Sequence, residues 1–312
     1  MRKILNTAAA VAFGLMSSVA SAADYPSKPV SFVVPWPPGD LEDILTRMIA
    51  EDFQATHGVA AAVVNKPGGG GGPFPGALEV LDADADGYTV GSFVPAITVV
   101  GPNLDMGIEK DSFEPVGIFL TYPFVIVAAG DAPYNTFEEM VEYGKSNDLT
   151  LGHFGTFLPP TKVTMAATNK LGMQWGSEAA FDMLDCNTLA SGDADVINTT
   201  LQLVLPCLDD VKVLVSITNE RITAKVPKTP TMGEIVPELG TALWNGLFVK
   251  KGTPQAAKDA LAASAEKTMA TQRARALIAQ TGAQVYWKGA AEAQAIIDSD
   301  RANWPNVVKL LD

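Results

Sequence analysis

Histidine is scarce: His57 and His153 are the only two in 312 residues. There is no Gly-x-Ser-x-Gly elbow and no His-Glu-x-x-His helix, which removes the common serine-hydrolase and zinc-peptidase designs. A glycosidase-type carboxylate pair would need two opposed acids, and Asp40, Glu42 and Asp43 are too close in sequence to provide them. Basic side chains are also few, with 22 Lys+Arg against 35 Asp+Glu and a formal net charge of −13. Such a surface repels nucleic acid and anionic lipid, so no nucleic-acid partner is expected. It also offers no general attraction for anionic metabolites, so any anion site must be local. Beyond the first twenty or so residues there is no apolar run long enough to cross a bilayer.

The apolar run at the start has its own signature. Arg2 and Lys3 precede a mostly apolar stretch over residues 4–19, and Ala20-Ser21-Ala22 fits the small-residue cleavage rule. Residues 1–22 are therefore expected to be a signal peptide, cleaved near Ala22. Cleavage removes two bases and no acid, leaving 20 basic against 35 acidic side chains. Only two cysteines occur, Cys186 and Cys207. An even count in an exported chain predicts a disulfide, with two separate buried thiols as the alternative.

Strand-like and helix-like segments alternate along the rest. Ser31-Phe32-Val33-Val34 reads as a buried strand, stopped by Pro35-Trp36-Pro37-Pro38-Gly39. Asp40 follows as a helix N-cap, with Asp43 three residues on in a box-like arrangement. Leu41, Ile44, Leu45, Met48 and Ile49 then recur at helical spacing. A helix start at the carboxyl end of a strand presents free N–H groups to a ligand. The pattern repeats: a strand over residues 59–65, five glycines over 68–72, then a helix over 77–81. Glycine amides in such a turn can form an anion nest, but no Gly-Lys-Ser/Thr follows, so this is no nucleotide loop. Asp82-Ala83-Asp84-Ala85-Asp86-Gly87 imitates a calcium loop, yet Phe93 stands where the bidentate Glu belongs. No metal and no cofactor are expected.

Further strands are expected over 114–120, 123–128, 149–152, 196–198, 211–217 and 241–249. Helices are expected over 136–145, with Tyr143 a candidate for its buried side, and over 179–190, 255–271, 273–280 and 290–311, the last bending near Pro305. The alternation predicts an α/β protein with mainly parallel sheets. His153, in the turn His153-Phe154-Gly155-Thr156, could donate to a ligand or serve as a structural hydrogen-bond partner.

Several stretches, in this order, resemble the periplasmic substrate-binding proteins of tripartite tricarboxylate transporters, the Bug proteins. They are Tyr25-Pro26-Ser27-Lys28-Pro29-Val30, the loop Pro35-Trp36-Pro37-Pro38-Gly39-Asp40-Leu41-Glu42-Asp43, Asn65-Lys66-Pro67-Gly68-Gly69-Gly70 and Ala85-Asp86-Gly87-Tyr88-Thr89-Val90. Phe113-Glu114-Pro115-Val116 and the segments 192–195, 227–231, 244–254 and 304–310 also correspond. The resemblance implies a two-lobed type II periplasmic-binding-protein fold, two α/β domains with a cleft between them. It implies a monomer that captures a small organic acid or related polar solute and passes it to membrane permease subunits, without enzymatic turnover. A receptor that signals to a sensor is the alternative. The expected lobes are 23–124 plus 218–312, and 125–217. Ligand contacts are expected from Trp36, Pro38, Gly39, Asp40, Leu41 and Asp43 in the first loop. Gly69, Gly70, Gly71 and Phe74 are expected to join them from the second, and Phe93 from a strand end. The other lobe would offer His153, Phe154, Gly155, Thr156 and Asn198. The family's first loop normally carries Gly-Gly where this chain has Gly39-Asp40. Asp40, Glu42 and Asp43 either serve the helix dipole and face solvent, or meet a ligand that brings a cationic or hydrogen-bond-donating group.

Overall fold

The computed structural model describes residues 25–68 and 72–311. The expected signal peptide and Gly69, Gly70 and Gly71 lie outside the described residues. The strands are β1 (Val30–Val34), β2 (Ala61–Asn65), β3 (Thr89–Phe93), β4 (Phe113–Thr121), β5 (Phe124–Ala129), β6 (Thr150–His153), β7 (Ser177–Ala180), β8 (Val196–Thr200), β9 (Val211–Ser216), β10 (Trp244–Lys250) and β11 (Gln284–Gly289). The helices are α1 (Leu41–His57), α2 (Phe74–Asp82), α3 (Phe137–Gly144), α4 (Pro159–Lys170), α5 (Cys186–Ala190), α6 (Leu201–Val204), α7 (Met232–Ile235), α8 (Gln255–Met269), α9 (Gln272–Thr281) and α10 (Ala290–Lys309).

The strands form two sheets, ordered β11-β4-β10-β3-β1-β2 and β7-β6-β8-β5-β9. Both sheets are mixed rather than mainly parallel. The β1–β2, β1–β3, β6–β7 and β6–β8 pairs are parallel, while β10 and β5 pair antiparallel with both of their neighbours. The reason is the path of the chain. It leaves the first sheet at the end of β4 and enters the second as β5 after only Tyr122 and Pro123. It returns as β10, which inserts between β3 and β4. Strands next to these crossings therefore run against their neighbours.

Local expectations hold where hydrophobic spacing is strong. Helix α1 buries Leu41, Leu45, Ile49 and Phe53. Helix α3 buries Phe137, Met140 and Val141 and is capped by the Thr136 hydroxyl, but Tyr143 is exposed. The helix expected over 179–190 is instead β7, a loop and the short α5, because residues 177–180 find a parallel partner in β6. Helix α4 begins with Pro159-Pro160, which look like breakers in sequence but occupy the first turn, where no N–H partner is needed. Helix α10 continues through Pro305. The calcium-like turn is structural: Asp86 accepts from the Tyr88 N–H and pairs with Lys28.

Candidate functional site

Six parallel-strand ends face one another across the gap between the sheets. From the first sheet come the loops after β1, β2 and β3, and from the second those after β6, β7 and β8 complete the set. This is where α/β folds place ligands. Between them lies a cavity of about 440 Å³. Trp36, Pro38, Asp40 and Glu42 line it from the first loop, Pro67, Gly68 and Gly72 from the second, and Val94–Ala96 from the third. The other wall holds Phe154, Leu158, Pro159 and Pro160, then Phe181, Asp182 and Met183, then Thr200, Gln202 and Leu203. Tyr122, Phe124, Leu243 and Trp244 close the back, where the chain passes between the sheets. Two of these crossing segments are tied by the Tyr122 N–H donating to the Leu243 carbonyl at 2.8 Å.

The first loop is held by Asp43. Its carboxylate accepts from the Gly39 N–H at 2.9 Å, from Arg47 Nε at 2.9 Å and from Asn65 Nδ2 at 2.8 Å. Asn65 also donates to the Trp36 carbonyl at 3.0 Å, which joins the first loop to the start of the second. Burial works to raise the Asp43 pKa, but the bonds from Arg47, Asn65 and Gly39 together hold it below the usual carboxylate range. Gly39 has φ +97°, a left-handed conformation that favours glycine and lets its N–H point back at Asp43. The expected capping box is therefore altered: the Asp40 side chain makes no cap bond, and Asp43 reaches Gly39 instead. Asn65→Ala is expected to cost about 1–2 kcal/mol, because it removes both donors from a partly buried network. Chemical denaturation of the two proteins measures it.

Asp40 and Glu42 turn the other way, into the cavity. Burial, reinforced by the charge of Asp43, pushes the Asp40 carboxyl up to about 6. Burial, reinforced by Asp40, pushes Glu42 up to about 8. Tyr122 lies beside Glu42, and its hydroxyl is buried with no hydrogen bond of ordinary geometry. The Trp36 Nε1 and Gln202 Oε1 atoms are also buried without partners. Trp244 is held by its Nε1 donating to Asp300 at 2.7 Å, and burial pushes that acid up to about 6.

Of the residues singled out in sequence, Trp36, Pro38, Asp40 and Phe154 line the cavity. Gly39, Leu41 and Asp43 are not in the lining: Gly39 is exposed, Leu41 belongs to the main core and Asp43 holds the loop. Phe74 packs on Phe157 with ring centroids 5.8 Å apart, and Phe93 is fully buried, stacked on Phe248 at 5.7 Å. Both are core residues, because the alternation that places them at strand or helix ends also turns their rings inward. His153 is 1% exposed and points away from the cavity. Its Nδ1 accepts from the Gly155 N–H at 3.0 Å, so Nε2 carries the proton and donates to Glu178 at 2.6 Å. Gly155 thus serves that turn, and Thr156 is half-buried outside the lining. Asn198 is buried and donates to Thr164 at 2.8 Å, clamping α4 to β8. Missed in sequence were Tyr122, Thr200, Gln202 and Trp244, which lie where the chain crosses or where a strand runs straight into a helix.

Cys186 and Cys207 are bonded, with Cα atoms 6.0 Å apart. The bond ties the start of α5, just after the cavity loop 181–183, to the turn just after α6.

Comparison with known proteins agrees with this architecture. The profile described as "Tripartite tricarboxylate transporter family receptor" matches residues 45–312. Protein BugT of Bordetella pertussis is 27% identical over 248 residues, covering 75% of this chain and 74% of its own. The structure of the periplasmic binding protein BugD is 27% identical with a TM-score of 0.75, covering 92% of this chain and 97% of its own. MatC from Rhodopseudomonas palustris with bound malate superposes with a TM-score of 0.76 at 23% identity, covering 91% of this chain and 100% of its own. With a family profile spanning most of its length, a two-lobed fold and a cavity between the lobes, the chain belongs to the tripartite tricarboxylate transporter receptors, the periplasmic solute-binding proteins of the Bug family.

Proposed function

We propose that this receptor closes its two lobes, 25–124 plus 218–311 and 125–217, on a small carboxylic or related polar solute, and that the closed form docks on membrane permease subunits. The cavity between the sheets carries the reading, because its walls come from both sheets and its back from the crossing segments. A ligand touching both walls favours the state in which they approach. Malate bound to MatC supports a carboxylate-bearing solute as one class to test. Neither His57 nor His153 lines the cavity, which supports binding without turnover. Export to the periplasm agrees with the family and with the lack of any membrane-long apolar helix among the described residues. A thermal-shift screen of small acids, amino acids and amines identifies the solute, since a tight ligand raises the midpoint by mass action. Small-angle scattering with that solute at saturation is expected to give a smaller radius of gyration. An unchanged profile would overturn lobe closure.

A further inference from the structure

We infer that the Asp40–Glu42–Tyr122 corner of the cavity is a subsite for a protonated amine carried on an apolar or aromatic body. The inference rests on the receptor reading above and narrows its ligand. The ionisable side chains that line the cavity among the described residues besides Tyr122 are Asp40, Glu42 and Asp182, all acids, and no lysine, arginine or histidine joins them. Arg47 is occupied by Asp43 and Asn65 behind the loop, and Lys66, next to the lining residue Pro67, is paired with Glu79. Glu42 is 3% exposed and Tyr122 is 7% exposed, and the Tyr122 hydroxyl, beside Glu42, makes no hydrogen bond of ordinary geometry. A buried hydroxyl left unpaired in a cavity wall calls for a polar atom from outside the chain.

Three kinds of occupant meet acids in this way. A carboxylate would face Asp40 at close range in a poorly solvated place, where repulsion is strong. A divalent ion would need six or more oxygens if it were calcium, and no group of three or more metal-capable side chains converges among the described residues. An ammonium needs only a few acceptors in a compact arrangement, and two carboxyls with a hydroxyl provide them. The remaining lining suits the rest of such a molecule. Trp36, Phe124, Phe154, Phe181 and Trp244 give it aromatic faces, and a cavity of about 440 Å³ exceeds the needs of a four-carbon diacid.

The subsite also has a proton signature. The groups facing Glu42 are Asp40 and Asp43 on its own element, Tyr122 from the crossing segment, and Asn245 of β10 through Tyr122. With burial holding a proton on Glu42 near neutrality, an arriving ammonium displaces it, whereas an arriving carboxylate draws a further proton onto Asp40.

The test is calorimetry at pH 7.5 in two buffers of different ionisation enthalpy, on the full exported protein. The probes are 2-phenylethylamine, phenylalanine and 3-phenylpropanoate, the carboxylate on the same phenylethyl body. The amine is expected to bind with proton release, and at least tenfold more tightly than the carboxylate. Asp40→Asn and Glu42→Gln are each expected to weaken the amine about tenfold or more and to reduce that preference, with folding checked by thermal melting. Tighter binding of 3-phenylpropanoate, with proton uptake, would overturn the inference and leave the receptor reading standing. If none of the probes binds, the amine subsite is overturned. The receptor reading then falls with it only if the wider solute screen also gives no ligand and no closure.

Discussion

Glu42→Gln is expected to make the ligand-free protein more stable at pH 8, by about 4 kcal/mol, and nearly unchanged at pH 4. In the unfolded chain this carboxyl titrates at its ordinary value of 4.5, and in the fold burial and Asp40 raise it to about 8. Between those two values the folded state holds a proton that the unfolded state has lost. Stability therefore falls as pH rises from about 4.5 to about 8 and is level outside that window. Glutamine has the same shape and no titration, so it escapes the loss. Each kcal/mol moves the midpoint of a chain this size by a few degrees, so melting at pH 8 should rise by roughly 5–10 °C. An equal gain at pH 4 and pH 8 would assign the effect to packing instead of charge. A buried acid kept at a cost in stability is what binding sites characteristically carry.

Removing the disulfide with Cys186→Ser and Cys207→Ser together is expected to cost about 3 kcal/mol, since the bridge closes a loop of 21 positions. The loss should appear as a lower denaturant midpoint with a reduced free energy of unfolding. The site should respond as well. The bond sits behind two stretches of cavity wall, residues 181–183 and 200–203, and without it those stretches are tied by their packing and by the Thr199 hydroxyl donating to the Leu184 carbonyl at 2.7 Å. Ligand affinity of the double variant should therefore fall under conditions where the fold is still intact by circular dichroism. Unaltered affinity and stability would show that the packing around Leu184, Leu189 and Leu201 holds this wall alone.

Much of this arrangement can be read from the chain, and the limits have physical causes. The unit β1–loop–α1 is visible because apolar spacing, a proline stop and an acidic first turn all agree at one place. The loops were legible as site material for the same reason. Which side chain of a loop turns inward was not. Asp40 and Asp43 are both acids in one helical turn; Arg47, one turn on in the same helix, and Asn65, 22 positions away, draw Asp43 away and leave Asp40 in the cavity, and only Asn65 is a tertiary partner. β7 reads as helix because its alanines favour one locally, while pairing with β6 overrides them. His153 reads either as a ligand donor or as a structural partner in sequence, and it is Glu178, 25 positions away, that takes its Nε2. Tyr122 had no local signal: its importance comes from standing between two sheets whose spacing no short stretch encodes.

That position has a consequence for how the receptor can be read from outside. Tyr122 and Leu243 lie in the segments that join the sheets, they are bonded to each other, and both line the cavity. On the proposed closure, the fulcrum would then be part of the surface that meets the ligand. A solute that engages Tyr122 would press on that pivot, and one that fills only the outer cavity would not. Two solutes of equal affinity would then set different lobe angles, and a membrane component that senses angle would discriminate between cargoes that equilibrium binding ranks as the same.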